Sequence, residues 1–481
     1  MDRRQVLAGG AALLGAFGVT PDAGAQASKP APAPLPAPGA IRTLTAAPAR
    51  RQLKPAPSAL TNLWGFDGVS PGPLLRVRPG ETLRLTLGNR TDAPLSLHWQ
   101  GVRQANALDG VGGFTAPAIA PGASGEISVA PPDSGLFIYR PVVLGGSSRP
   151  QEMGLSGLLI VEEREPPMVD HDIPLAVDDW LLTPEGQIAP FPPTGNAPEA
   201  ATGGRLGNWL SVNGGPIPER TSFAPGSRLR LRLGNLSNAR TLRIRFDNLK
   251  AYVIAVDSQP TDTFEPLKST LPFAPGTRYD ILLDLAEEPG QSGQITAMVG
   301  PGVPLFMAIT EGEPVTKRRP ALPPIKPLPP NPLLPPAVRL QDALRAQLLI
   351  EGGAKAGVDG RLDLTGVDLG APWLINGKAN RAKGAADAPA PLFRARRGQP
   401  IVLRVENRTA LPQPLHIHGH VVRVLHPLDD GWEPYFLDTV IVPEGKVLQL
   451  AFIADNPGRW LISSSVTERF DAGLWGWFEV A

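Results

Sequence analysis

The sequence predicts an all-β protein built from three β-sandwich domains. Three observations predict it: a strand pattern that occurs three times at domain spacing, a second turn-and-strand signal after each copy, and abundant glycine and proline without a collagen period. The first copy of the pattern runs from Gly80 to Asn89, the second from Gly226 to Asn235 and the third from Gly398 to Asn407. In each, a glycine turn leads into alternating apolar and polar positions, as expected for a strand with one face on a core, and an asparagine closes the run. The second signal is Pro121-Gly122 before residues 126–129, Pro275-Gly276 before residues 279–283, and Pro443-Glu444-Gly445 before residues 447–450. Each is a turn that feeds another alternating strand. The copies start 146 and 172 residues apart, a domain spacing and far too long for a solenoid repeat.

Placed on the chain, these signals give domains at residues 41–165, 166–315 and 341–481. A proline-rich linker at 316–340, poor in backbone donors, is expected to run extended between the second and third. Residues 1–27 read as an address: Arg3-Arg4 precede an apolar run, and Ala23-Gly24-Ala25 offers a cleavage site, so the twin-arginine route to the periplasm is expected. An ordinary secretory leader that happens to carry two arginines would also mean export. Residues 28–40 form an Ala/Pro-rich tether to the folded body.

Composition narrows the function. Hydrophobic residues make up 42% and charged residues 19%, enough apolar surface to offset the ordering entropy of a folded chain. Lys plus Arg number 46 against 45 Asp plus Glu, so there is no basic field for a nucleic-acid partner. No run after the leader reaches the roughly 18 apolar residues of a transmembrane helix. Cysteine is absent, which removes thiolate chemistry of every kind.

Six histidines remain as candidate ligands: His98, His171, His416, His418, His420 and His426. His416, His418 and His420 alternate, so on a strand they would share one face, and two or more could meet one ion. The plainer reading is that these imidazoles satisfy buried backbone groups. His171 and His426 read as surface or turn residues. Asp178-Asp179 are adjacent on a predicted strand and so face opposite sides, and residues 475–478 alternate as a core strand.

The sequence around these histidines resembles the multicopper oxidases. Leu97-His98-Trp99-Gln100-Gly101 followed by Asn106-Ala107-Leu108-Asp109-Gly110 is similar to that family's first copper motif, and the run from Gln413 to His420 to its third. The second motif falls on Tyr139-Arg140-Pro141-Val142, and the fourth on the run from Trp460 to Leu474. The resemblance covers essentially the whole mature chain and implies three cupredoxin-like Greek-key sandwiches. It also implies which ligands are missing. The mononuclear, electron-accepting copper would fall on Gln413, Ser464, Arg469 and Leu474, none of which supplies its histidines, cysteine or methionine. Of the histidines that hold the oxygen-reducing cluster, His98, His416 and His418 persist, while Gln100, Arg140, Val142, Ser463 and Ser465 stand at the others. His420 matches a position that is not a ligand, and Glu468 an acidic position near the cluster in some bacterial relatives.

Two expectations follow. The first is a periplasmic scaffold or interaction protein without an enzymatic role or a cofactor, with envelope proteins as partners and a place in cell division or envelope stress, like exported family members that lack copper. There Arg140 replaces the positive charge of the lost ions. The second is a copper-dependent oxidoreductase or a metal-binding protein in which His98, His416 and His418 hold one copper or zinc ion.

Overall fold

The computed structural model describes residues 41–191, 198–313, 323–357, 361–426 and 433–481. The expected leader, the tether and the first part of the linker lie outside these residues.

The three repeated patterns form equivalent strands with equivalent neighbours. Leu83–Asn89, Arg228–Asn235 and Gln399–Asn407 each pair in parallel with the first strand of their sandwich, respectively Ile41–Arg51, His171–Trp180 and Leu344–Gly352. Each pairs on its other side, antiparallel, with the strand after the second turn signal: Ser124–Val129, Arg278–Asp284 and Val447–Ala454. The glycines that open the pattern need positive φ, at +80°, +70° and +81° for Gly80, Gly226 and Gly398, which explains why no other residue stands there.

The asparagine that closes the pattern has a structural task common to all three copies. Asn89 donates Nδ2–H to the carbonyls of Ala93 and Ile119, Asn235 to those of Arg240 and Phe273, and Asn407 to those of Leu411 and Val442. Each Oδ1 accepts the amide two residues on, at Thr91, Ser237 and Thr409. A buried side-chain amide thus satisfies the backbone where the chain leaves one sheet for the other.

Each sandwich packs two sheets over an apolar core. The first has two four-stranded sheets, and the second and third each have one of six strands and one of five. Leu85, Leu87, Trp99, Phe137 and Leu159 fill the first core, Leu231, Val253, Phe273 and Ile281 the second, and Leu403, Val405, Phe452, Trp460 and Phe478 the third. Residues 323–340 contain no strand or helix but do not hang free. Asn331 donates to Asp133 and Gln259, and Arg228 to the Pro323 carbonyl.

Arg278 joins the three sandwiches. From a strand of the second it donates Nε–H to the Leu136 carbonyl of the first and forms a two-point ion pair with Asp438 of the third, with Asp257 also close. All three charged groups are essentially without exposure. Burial and the Asp438 charge push the Asp257 carboxyl up to about 7, whereas Arg278 holds Asp438 well below the carboxylate range against the effect of its own burial. Arg278→Met, which strands two buried carboxylates, is predicted to cost about 3–5 kcal/mol in urea unfolding. Removing the exposed Arg381–Asp368 pair by Arg381→Ala should cost only a small fraction of that.

Candidate functional site

Sheet register brings the predicted histidines together. His98 stands opposite Arg140 in the first sandwich, and His416 opposite Ser463 and Thr439 in the third. The strand Gln413–Ile417 ends just before His418, whose ring lies 4.4 Å from that of His98 and 4.6 Å from that of His416, centroid to centroid. One ring nitrogen from each of the three lies within 4.8 Å of the others, and all three residues are buried.

His420 does not join them, contrary to simple alternation. Gly419 takes φ +66° after the strand has ended, and a Cβ there would collide with the Trp460 ring. The chain turns, and His420 packs edge-on against Phe452 and Trp460 and close to Phe478. His171 is exposed at the start of a strand, its ring 5.1 Å from Phe223. His426 lies at the end of a described segment and is not one of the three grouped residues.

Hydrogen bonding fixes the tautomers. His98 Nδ1 lies 2.8 Å from the Asp109 carbonyl oxygen, His416 Nδ1 lies 3.1 Å from the Asp438 carbonyl oxygen, and His418 Nδ1 lies 3.2 Å from the Asp109 carboxylate. These partners only accept, so each Nδ1 carries the hydrogen and each Nε2 a lone pair. His418 Nε2 accepts from Ser463 Oγ at 3.2 Å. His98 Nε2 and His416 Nε2 face each other at 3.4 Å. Burial drives His418 down to about 3 and lowers His416 as well, so these two rings are neutral. Asp109 stays ionised: although burial pushes it up, His418 and His98 hold it well below the usual range.

Asp109 reaches its place because Gly110 adopts φ +76° against the Leu97 carbonyl, where a Cβ would clash. The Asp109-Gly110 pair belongs to the first motif, but the motif alone gives it no role. Asp438 had no signal at all, since it sits outside every motif and acts through the fold.

Arg140 lines the same cavity as the three histidines, together with Val142, Gln151 and Ser463. The cavity has room for about 20 Å³, the size of one water. Arg140 is 4% exposed, donates Nη1–H to Gln151 Oε1 at 3.3 Å, and has no partner for Nε among the described residues. Burial, then Arg278, lowers it to about 10, which still leaves a cation at neutral pH.

The positions to which the resemblance assigns the mononuclear copper are filled differently. Arg469 donates to Gln413 Oε1 and the Pro412 carbonyl, both at 2.8 Å, and to the Thr202 carbonyl at 2.9 Å, with its guanidinium over the Trp373 ring. Ser464 Oγ accepts the Val466 amide, and Leu474 is part of the third core. A guanidinium bonded to an amide, a hydroxyl and an alkyl chain do not fit a thiolate-bound copper. The three imidazoles, with converging lone pairs and anchored Nδ1 groups, do fit one metal ion.

A buried carboxyl cluster lies close by. Asp179 accepts Arg240 Nε and the Gly207 amide, Asp178 accepts the Asp179 amide, and Glu152 accepts Arg205 Nε. Glu468 accepts Asn238 Nδ2 through Oε1 and lines an open cleft of about 500 Å³ with Phe191, Arg205 and Asp471. Burial raises Glu468 to about 7. A carboxyl with a raised folded-state pKa stabilises fully below its unfolded value of 4.5 and loses that stability as pH rises through about 7. Glu468→Gln should therefore match the parent in acid and exceed it by about 1–3 kcal/mol in urea unfolding above neutrality. A parallel pH profile would contradict this.

Comparison with known proteins agrees with the geometry. Multicopper oxidase family models match residues 49–166, 172–293 and 362–481. The multicopper oxidase MmcO of Mycobacterium tuberculosis is 28% identical over 455 residues, which span 87% of this chain and 83% of that one. The cell division protein FtsP of Proteus mirabilis is 31% identical over 249 residues, with the match spanning 49% of each chain, about half the length of that relative. Solved multi-copper oxidases from Pseudomonas thermotolerans and Pseudomonas parafulva superpose with TM-scores of 0.78 and 0.76, at 28% and 30% identity. They cover 92% of this chain and 99% and 100% of their own. With matched domains along three stretches, the same cupredoxin-like fold and the motifs in order, the chain belongs to the multicopper oxidase family.

Proposed function

We propose that this chain is a non-oxidase member of the family, an exported periplasmic protein that works as a scaffold or interaction partner for envelope proteins. The observation that carries this reading is the Arg469–Gln413 hydrogen bond at the positions where the resemblance puts the ligands of the mononuclear copper. That copper takes electrons from substrate. A fixed guanidinium and the absence of any cysteine leave those electrons without an entry point. The similarity to proteins named for cell division suggests division or envelope stress as the setting. Among the described residues no helix is long and apolar enough to cross a membrane.

A second reading rests on the three converging imidazoles, which suit one copper or zinc ion. It supplies binding only. One ion cannot carry out the four-electron reduction of oxygen that needs the full set.

Copper-loaded protein is predicted to lack the intense blue absorption of a thiolate-bound copper and to leave phenolic substrates unoxidised. In a strain deleted for the gene, a division or envelope-stress defect should be restored equally by the parent and by a His98→Ala, His416→Ala double variant made at equal level. Phenol oxidation by the loaded parent, abolished in the double variant, would overturn the scaffold reading.

A further inference from the structure

We infer that the cleft shared by the three sandwiches binds a small zwitterion, an amino acid or short peptide, with Lys383 receiving its carboxylate and Glu468 and Glu199 its ammonium. The inference goes beyond the scaffold reading and does not depend on a metal. The cleft shares no lining residue with the histidine cavity.

Two observations carry it. The first is shape. The lining comes from all three sandwiches, with Arg149 in the first, Phe191 in the second and Lys383 in the third, and the space of about 500 Å³ is in the range of small-molecule sites. Phe191 gives the wall an apolar part, fixed by the guanidiniums of Arg205 and Arg149 at 4.5 and 5.8 Å from its ring centroid. Gly145, at φ +69°, lets the Lys383 ammonium reach the first sandwich, since a Cβ there would lie 2.7 Å from Nζ.

The second is the set of polar groups left over. Most charged groups of the lining are committed: Arg149 to Asp92, Arg205 to Glu152 and two carbonyls, Arg381 to Asp368, and Asp471 to the amides of Ser147 and Ser148. Among the described residues three groups remain. Neither the Lys383 ammonium nor the Glu199 carboxylate has a direct ion pair or hydrogen bond, and Glu468, 7% exposed, has no partner for Oε2. A simple anion would meet Lys383 but also two carboxyl groups, and a simple cation would meet the carboxyl groups but also Lys383. A molecule with one charge of each sign answers all three, and its ammonium favours the ionised form of Glu468.

The test is titration calorimetry on the full-length mature protein at neutral pH. The probes are a panel of free amino acids and dipeptides with apolar, acidic and basic side chains, each beside its N-acetylated and its C-amidated form. Saturable binding of at least one free form is expected at one site per chain, weakened at least about tenfold by either block, the scale of one charge-assisted hydrogen bond. Lys383→Ala should weaken the free form as much and remove the difference between it and the C-amide. Glu468→Gln combined with Glu199→Gln should do the same for the N-acetyl form. Lys383 is exposed and the two glutamines keep the side-chain shape, so these variants are expected to fold. No binding by any member of the panel, binding indifferent to both blocks, or binding unchanged in the variants would overturn the inference. Binding weakened by the C-amide alone would make the cleft an anion site and overturn the zwitterion.

Discussion

The guanidinium of Arg278 is the contact on which the centre of this molecule depends. It lies where the three sandwiches meet, bonded to the Leu136 carbonyl of the first and to both Asp438 oxygens of the third, with Asp257 of its own sandwich close by. Asp438 in turn lies against His416, and Asp257 accepts the amides of Asp438 and Thr439. The direction of the His416 ring is thus set by a contact between domains rather than by its own strand. His98 is brought to it from the first sandwich by Asp109, which also orients His418. Since charges buried this deeply are tolerated only when paired, the arrangement is either complete or costly.

A second constraint concerns the cavities at this centre. Imidazoles and carbonyl-anchored side chains remain where the family binds cations, and in this chain two buried arginines stand among them. Arg469 is held through Nε and Nη1 by Gln413 and two carbonyls, which makes its site a structural plug. Arg140 is held by a single long hydrogen bond and keeps an unpartnered Nε. The difference matters. The first arginine closes its site, whereas the second leaves His98 Nε2 and His416 Nε2 facing each other beside a small cavity.

Much of this was legible in the sequence because it depends on local patterns. The Gly-to-Asn runs marked the central strand of every sandwich, and the turn signals marked its neighbour. His98, His416 and His418 were identified by motif and do converge. What sequence could not supply came from contacts between distant segments. Asp438 and Arg278 are 160 residues apart. The asparagines closing each run were visible as a recurrence, but their role as backbone clamps needed the sheet-to-sheet crossing to be seen. Alternation placed His420 with its neighbours, yet the strand stops at Ile417 and the positive φ of Gly419 redirects the chain. Glu468 was visible only as a match to an acidic position near the family's cluster, and its burial beside Asn238, Arg205 and Asp471 gives it an electrostatic character that no spacing reveals.

The most direct measurement is the metal content of the mature protein, purified from the exported fraction of copper-supplemented cells and analysed for all transition metals per chain. With Arg469 and Gln413 bonded to each other and Arg140 in the histidine cavity, the expected result is no more than one ion per chain, lost when His98 and His416 are replaced by alanine. Three or four copper ions per chain would contradict it, since these side chains would then have to leave the positions that the structure gives them.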